Sequence, residues 1–144
     1  MEQNWYQYIS EKFGVEDKDI RTYSPLTLAY IGDGVFDLVI RSVVVGKGNT
    51  SPNNLHKHTS QIVKATTQAA MIDVLEEVLR EELAVAYRLG RIAKSHSVAK
   101  NASVGDYRKA TGFESLIGYL YLCNRMDRIM ELVLIAVDKC HVDL

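Results

Sequence analysis

The sequence predicts an all-α fold. Three observations carry it: apolar residues recur at three-to-four spacing along most of the chain, strict two-residue alternation is hard to find, and Ser-Pro pairs stand where helices begin. With 144 residues, nearly half of them apolar, and only two prolines and nine glycines, the chain reads as one globular domain over 1–144.

Trp5, Tyr8, Ile9 and Phe13 mark a short first helix that stops at Gly14. Ser24-Pro25, with serine as cap and proline at the first helical position, opens a long helix over about 25–45. That helix is apolar on nearly every side, which predicts a central, buried position. Gly46-Lys47-Gly48-Asn49 ends it. Ser51-Pro52 repeats the start signal for a helix through Leu55, His58, Ile62 and Ala65. A fourth helix is expected over 67–79, with Asp73, Glu76, Glu77, Glu81 and Glu82 on and beyond a solvated face, and a fifth over about 82–93. Residues 95–106 lack periodicity and are expected to form a long functional loop. Helices resume over 107–122 and 126–141.

The formal net charge of −1 argues against a uniformly basic nucleic-acid coat. Cys123 and Cys140 lack a CxxC spacing and read as reduced thiols. The first residues show no basic segment followed by an apolar one, so no leader is expected. Arg41 interrupts the longest apolar run, and no stretch approaches the roughly 18 to 20 apolar residues of a membrane span. A soluble, cytoplasmic protein is the expectation.

Two of the most apolar stretches each carry an isolated acid beside glycines: Asp33 within Ile31-Gly32-Asp33-Gly34-Val35, and Glu114 within Gly112-Phe113-Glu114-Ser115-Leu116-Ile117-Gly118. An ionised carboxylate in apolar surroundings costs several kcal/mol unless it is paired, hydrogen-bonded or metal-bound. Two such acids, distant in sequence, point to one shared site between packed helices. Acidic oxygens with few other strong ligands suit Mg²⁺, with Mn²⁺ as the alternative. The competing reading is structural: Asp33 bonded to a backbone amide or a tyrosine, and Glu114 reaching solvent. Asp37, four residues after Asp33, shares its helix face.

The run from Leu28 to Asp37 resembles the signature helix of the ribonuclease III endonuclease domain, and that from Phe113 to Leu122 resembles its second acidic motif. The short bacterial form of that family, an endonuclease domain without a double-stranded-RNA-binding domain, is matched further by Ser51-Pro52-Asn53-Asn54-Leu55-His56-Lys57, Gly90-Arg91-Ile92-Ala93-Lys94-Ser95, Lys100-Asn101 and Tyr107-Arg108. The resemblance is strongest over 24–135. It implies metal-dependent cleavage of double-stranded RNA to 5′-phosphate and 3′-hydroxyl ends, with Asp33 as the catalytic aspartate and Glu114 as the metal-binding glutamate. It also implies a homodimer in which each subunit cuts one strand, and precursor 23S ribosomal RNA as substrate. Leu26, Ala29 and Thr111 stand where the larger enzymes carry further acids, a reduction shared by the short form. An inactive double-stranded-RNA-binding scaffold of the same fold is the alternative.

An anionic duplex needs cations. Arg88, Arg91, Lys94, Lys100 and Arg108, with Lys109, face the single acid Asp106 over 88–109, and this block is expected to contact RNA. His56, Lys57 and His58 form a weaker second patch. Val35, Phe36 and Val39 are the expected dimer-interface residues on the signature helix.

Overall fold

The computed structural model describes residues 5–92 and 103–144, and among these all regular structure is helical. The helices are α1 (Trp5–Phe13), α2 (Pro25–Lys47), α3 (Pro52–Val63), α4 (Ala65–Leu75), α5 (Glu81–Ile92), α6 (Val104–Leu122) and α7 (Met126–Lys139), with a 3-10 turn at Ile20–Thr22. Both Ser-Pro starts form as expected: the Ser24 hydroxyl accepts the Thr27 amide and the Ser51 hydroxyl accepts the Asn54 amide, with proline in the first turn of each helix.

Helix ends differ from the sequence reading for local reasons. Lys64 is extended (φ −67°, ψ 157°) and separates α3 from α4, while the Gln68 side-chain amide donates to the freed Val63 carbonyl at 2.9 Å. α4 stops at Leu75 instead of continuing to 79, and Arg128 of α7 donates to the Val78 carbonyl in the turn that follows. α6 begins at Val104, so the last three residues of the expected loop are helical; the Ser103 hydroxyl accepts the Asp106 amide and caps it. α1, α6 and α7 all end through a left-handed residue, Gly14 (φ 66°), Asn124 (φ 60°) and His141 (φ 53°). In each, the next residue's amide reaches back to the helix: Val15 to Ser10, Arg125 to Leu120 and Val142 to Val137. Only the first of these carries the glycine that announces such an end, which is why the expected limit of α7 overran by two residues.

The core gathers around α2 and α6. Phe36, Ile40, Met71, Ile72, Phe113, Leu116, Ile117, Ile129 and Leu132 are fully buried, and Phe36 meets Phe113 edge-on at 5.0 Å. α2 and α6 cross with almost no side chain between them. A Cβ placed on Gly32 would lie 1.7 Å from the Glu114 carbonyl oxygen, and one on Gly118 would lie 1.9 Å from the Leu28 carbonyl oxygen. Each helix therefore supplies the glycine against which the other rests its backbone. Gly90 and Gly112 allow a second close approach, of α5 to α6. Of the two glycines flanking Asp33 only Gly32 is tight; Gly34 faces open space.

Gly32→Ala and Gly118→Ala are each expected to lower stability by about 1–3 kcal/mol or more in urea denaturation, because the obstruction is backbone and cannot swing aside. Gly46→Ala, also in α2 but with nothing within 4 Å of its added Cβ, should be neutral or slightly stabilising. Equal stabilities for all three would contradict the crossing.

Candidate active site

The same crossing brings the two isolated acids together. Gly32 rests on the carbonyl of Glu114 itself, so Asp33, the next residue on α2, is set beside Glu114 of α6. Phe36 and Phe113, the buried aromatic pair, lie three residues after one acid and immediately before the other, and they hold the register from below. Asp33 is exposed and Glu114 half-buried. The Glu114 carboxyl hydrogen-bonds to Asp33. Burial first, then the charge of Asp33 and the hydrogen bond to it, push the Glu114 carboxyl up to about 8.

The two acids thus face each other at the crossing. Among the described residues, neither is ion-paired to a lysine or arginine. Two hard oxygen donors side by side without a positive charge between them fit a divalent cation. Among the described residues no group of three or more His, Cys, Asp or Glu side chains converges. The protein's share of such a coordination shell is thus small, in the manner of Mg²⁺, which keeps several waters.

The neighbouring positions are filled otherwise. Ala29 is buried, and Thr111 is buried with its hydroxyl donating to the Tyr107 carbonyl at 3.0 Å. Asp37, half-buried one turn after Asp33, is ion-paired with Arg41 at 2.7 Å.

The cationic block divides. Arg88 on α5 and Arg108 on α6 are exposed. Arg91 falls in the last turn of α5 by its backbone, its side chain lying outside the described set, and Lys94 and Lys100 lie outside the described residues. Lys109 is tied to Asp73 of α4 at 2.9 Å and braces α6 instead of facing substrate. Of the expected interface residues, Phe36 is completely buried within the single chain and Val39 nearly so, while Val35, also buried, lines an apolar cleft. α2 leaves apolar surface open at Leu26, Tyr30 (82% exposed), Leu38 and Val45. Leu38 borders a cleft of about 470 Å³ with Trp5, Ile9, Ile31, Tyr121 and Met126. Periodicity could not locate it, because α2 is apolar on most sides and only packing decides which side is covered.

This all-helical fold has known counterparts. The Ribonuclease III domain model matches residues 26–125. A crystal structure of a Fusobacterium nucleatum protein superposes with a TM-score of 0.76 at 30% identity, covering 85% of this chain and 98% of that one. The chain belongs to the ribonuclease III domain family, and it is an endoribonuclease acting on double-stranded RNA. Within that family it falls with the Mini-ribonuclease 3 proteins. It is 42% identical to that of Clostridium tetani over 132 residues (91% of this chain, 86% of the relative). It is 44% identical to that of Enterococcus faecalis over 124 residues (85% and 94%).

The raised Glu114 value has a consequence for stability. The folded state binds this proton more tightly than the unfolded chain, whose value is near 4.5. Glu114's own contribution to metal-free stability is therefore fully present below about 4.5 and is lost as pH rises through about 8. Glu114→Gln removes the charge and should raise the melting temperature in chelator at and above pH 8, the gain vanishing toward pH 4.5. Melting curves across that range check this, and a pH-independent difference would contradict it.

Proposed function

We propose that residues 1–144 act as a single cytoplasmic endonuclease domain that cuts double-stranded RNA at the α2–α6 crossing, leaving 5′-phosphate and 3′-hydroxyl ends. The observation that carries this is the Asp33–Glu114 contact, made by two backbones meeting at Gly32 and held without a basic partner among the described residues. Asp33 and Glu114 are the catalytic and metal-holding pair. When bound there, Mg²⁺ or Mn²⁺ supplies neutralisation of charge on the scissile phosphate and a lowered pKa for an attacking water.

The chain's own contribution is placement. Exposed Asp33 presents its carboxylate to the substrate side, while half-buried Glu114, raised to about 8, gives up its proton more readily when positive charge arrives. Substrate is held through its phosphates by Arg88 and Arg108, joined by Arg91, Lys94 and Lys100 of the same block. Cutting both strands calls for two sites, hence a homodimer. The apolar cleft beside Ile31, Gly34 and Leu38, with exposed Trp5 and Ile9 next to it, is the face proposed for the second subunit. The proposed natural substrate is precursor 23S ribosomal RNA.

Purified protein on a long RNA duplex is expected to cut in Mg²⁺ and to stop in chelator. Asp33→Asn should lower the rate by at least about a hundredfold with duplex binding retained. Metal-independent cutting, or an unimpaired variant, would overturn the assignment.

A further inference from the structure

α5 turns Leu83, Ala86, Tyr87 and Gly90 inward, all buried at the spacing of one helix face, and leaves Arg88 exposed between the last two. That inner face meets α6 on the turn that carries Glu114. A Cβ placed on Gly90 would lie 2.5 Å from the Ser115 Cβ, 2.8 Å from the Gly112 Cα and 3.0 Å from the Thr111 carbonyl oxygen. One placed on Gly112 would lie 2.8 Å from the Tyr87 carbonyl oxygen and 2.7 Å from its ring. The buried Ser115 hydroxyl donates to the Ala86 carbonyl at 3.4 Å.

The Glu114 turn is therefore held from two sides at close range. Glu114 and Gly118 bear on α2, while Gly112 and Ser115 bear on α5. Helices that meet through long side chains keep some slack, because those side chains can change rotamer; a seat built from glycines and main chain has little. Arg88 thus stands on an arm whose length from the acid pair is set by the seat. Such a distance matters to cleavage, since a displacement of about 1 Å can cost about a hundredfold in rate. Phosphate contacts fix register on a duplex. A duplex gripped at α5 offers the acids one particular bond only while the arm keeps its place.

We propose that Gly90 and Gly112 are positioning residues for cleavage: by seating α5 directly on the Glu114 turn of α6, they fix the reach from the Arg88 phosphate grip to the acid pair and so select which phosphodiester bond is cut. This inference rests on reading the α2–α6 crossing as the cutting site and the α5 cations as a phosphate grip. It gives the α5–α6 contact a task beyond stability.

The test is single-turnover cleavage of an end-labelled RNA duplex in Mg²⁺, with products resolved to one nucleotide, beside duplex affinity measured in Ca²⁺ and thermal melts of each variant. Gly90→Ala should keep duplex affinity within about threefold, cut at least about tenfold more slowly, and move or spread cutting to neighbouring bonds. Ile72→Val, which loosens the core from the fully buried face of α4, should keep the wild-type cut positions. The double variant Gly90→Ala/Ser115→Gly removes the nearest obstacle and leaves those at 2.8 and 3.0 Å. It displaces α5 less, stays folded where Gly90→Ala does not, and should redistribute cutting to an intermediate degree. Wild-type cut positions in every folded Gly90 variant, while the wild type cuts duplex, would overturn the inference alone. The same redistribution in Ile72→Val would also overturn it, because general loosening would then suffice. A wild type that does not cut duplex would overturn the cutting site itself.

Discussion

The proposed site depends on two helices touching backbone to backbone. α2 and α6 approach so closely at Gly32 and Gly118 that neither position accommodates a methyl group. Such an approach forfeits side-chain burial at the contact itself and recovers it on either side, where Phe36 packs edge-on against Phe113 and Ile40, Leu116 and Ile117 complete the core. The register is consequently unambiguous. A slip of one turn would drive the Leu28 or Glu114 carbonyl into a side chain. Because Asp33 follows Gly32 directly and Glu114 supplies the carbonyl on which Gly32 rests, fixing the crossing also fixes the distance between the acids.

The arrangement sets function against stability. A half-buried glutamate beside an aspartate costs free energy in the metal-free fold, and the rise of the Glu114 value to about 8 expresses that cost. Other acids beside the helix contacts are compensated: Asp37 is held by Arg41, Asp73 by Lys109, and Glu131 by the largely buried Arg128, which also takes the Val78 carbonyl. Half-buried Glu114 has no such partner among the described residues and faces another acid instead.

Much of this was legible in the sequence. The two Ser-Pro starts, the apolar character of the α2 stretch and the isolation of Asp33 and Glu114 among glycines all bore on the final structure, since capping and burial act locally and leave marks on residue type. Less legible was anything set by partners distant in sequence. The glycines around Asp33 look alike on paper, yet only Gly32 makes the contact. Phe36 looks like surface for a partner on an all-apolar helix, yet it packs edge-on against Phe113 of α6. The start of α6 depends on Ser103, a cap inside a stretch without periodicity, and α7 ends at a left-handed histidine instead of a glycine. Lys109 belongs to the cationic block by sequence and to an interhelical ion pair by structure.

The central claim is that Asp33 and Glu114 act as one cation site and not as two separate acids. Calorimetric Mn²⁺ binding to the wild type, Asp33→Asn, Glu114→Gln and the double variant tests it most directly. A shared site predicts that each single substitution weakens binding by at least about tenfold and that the double variant is no weaker than the worse single. Losses that simply add, or an affinity that survives either substitution, would show that the two acids serve separate purposes.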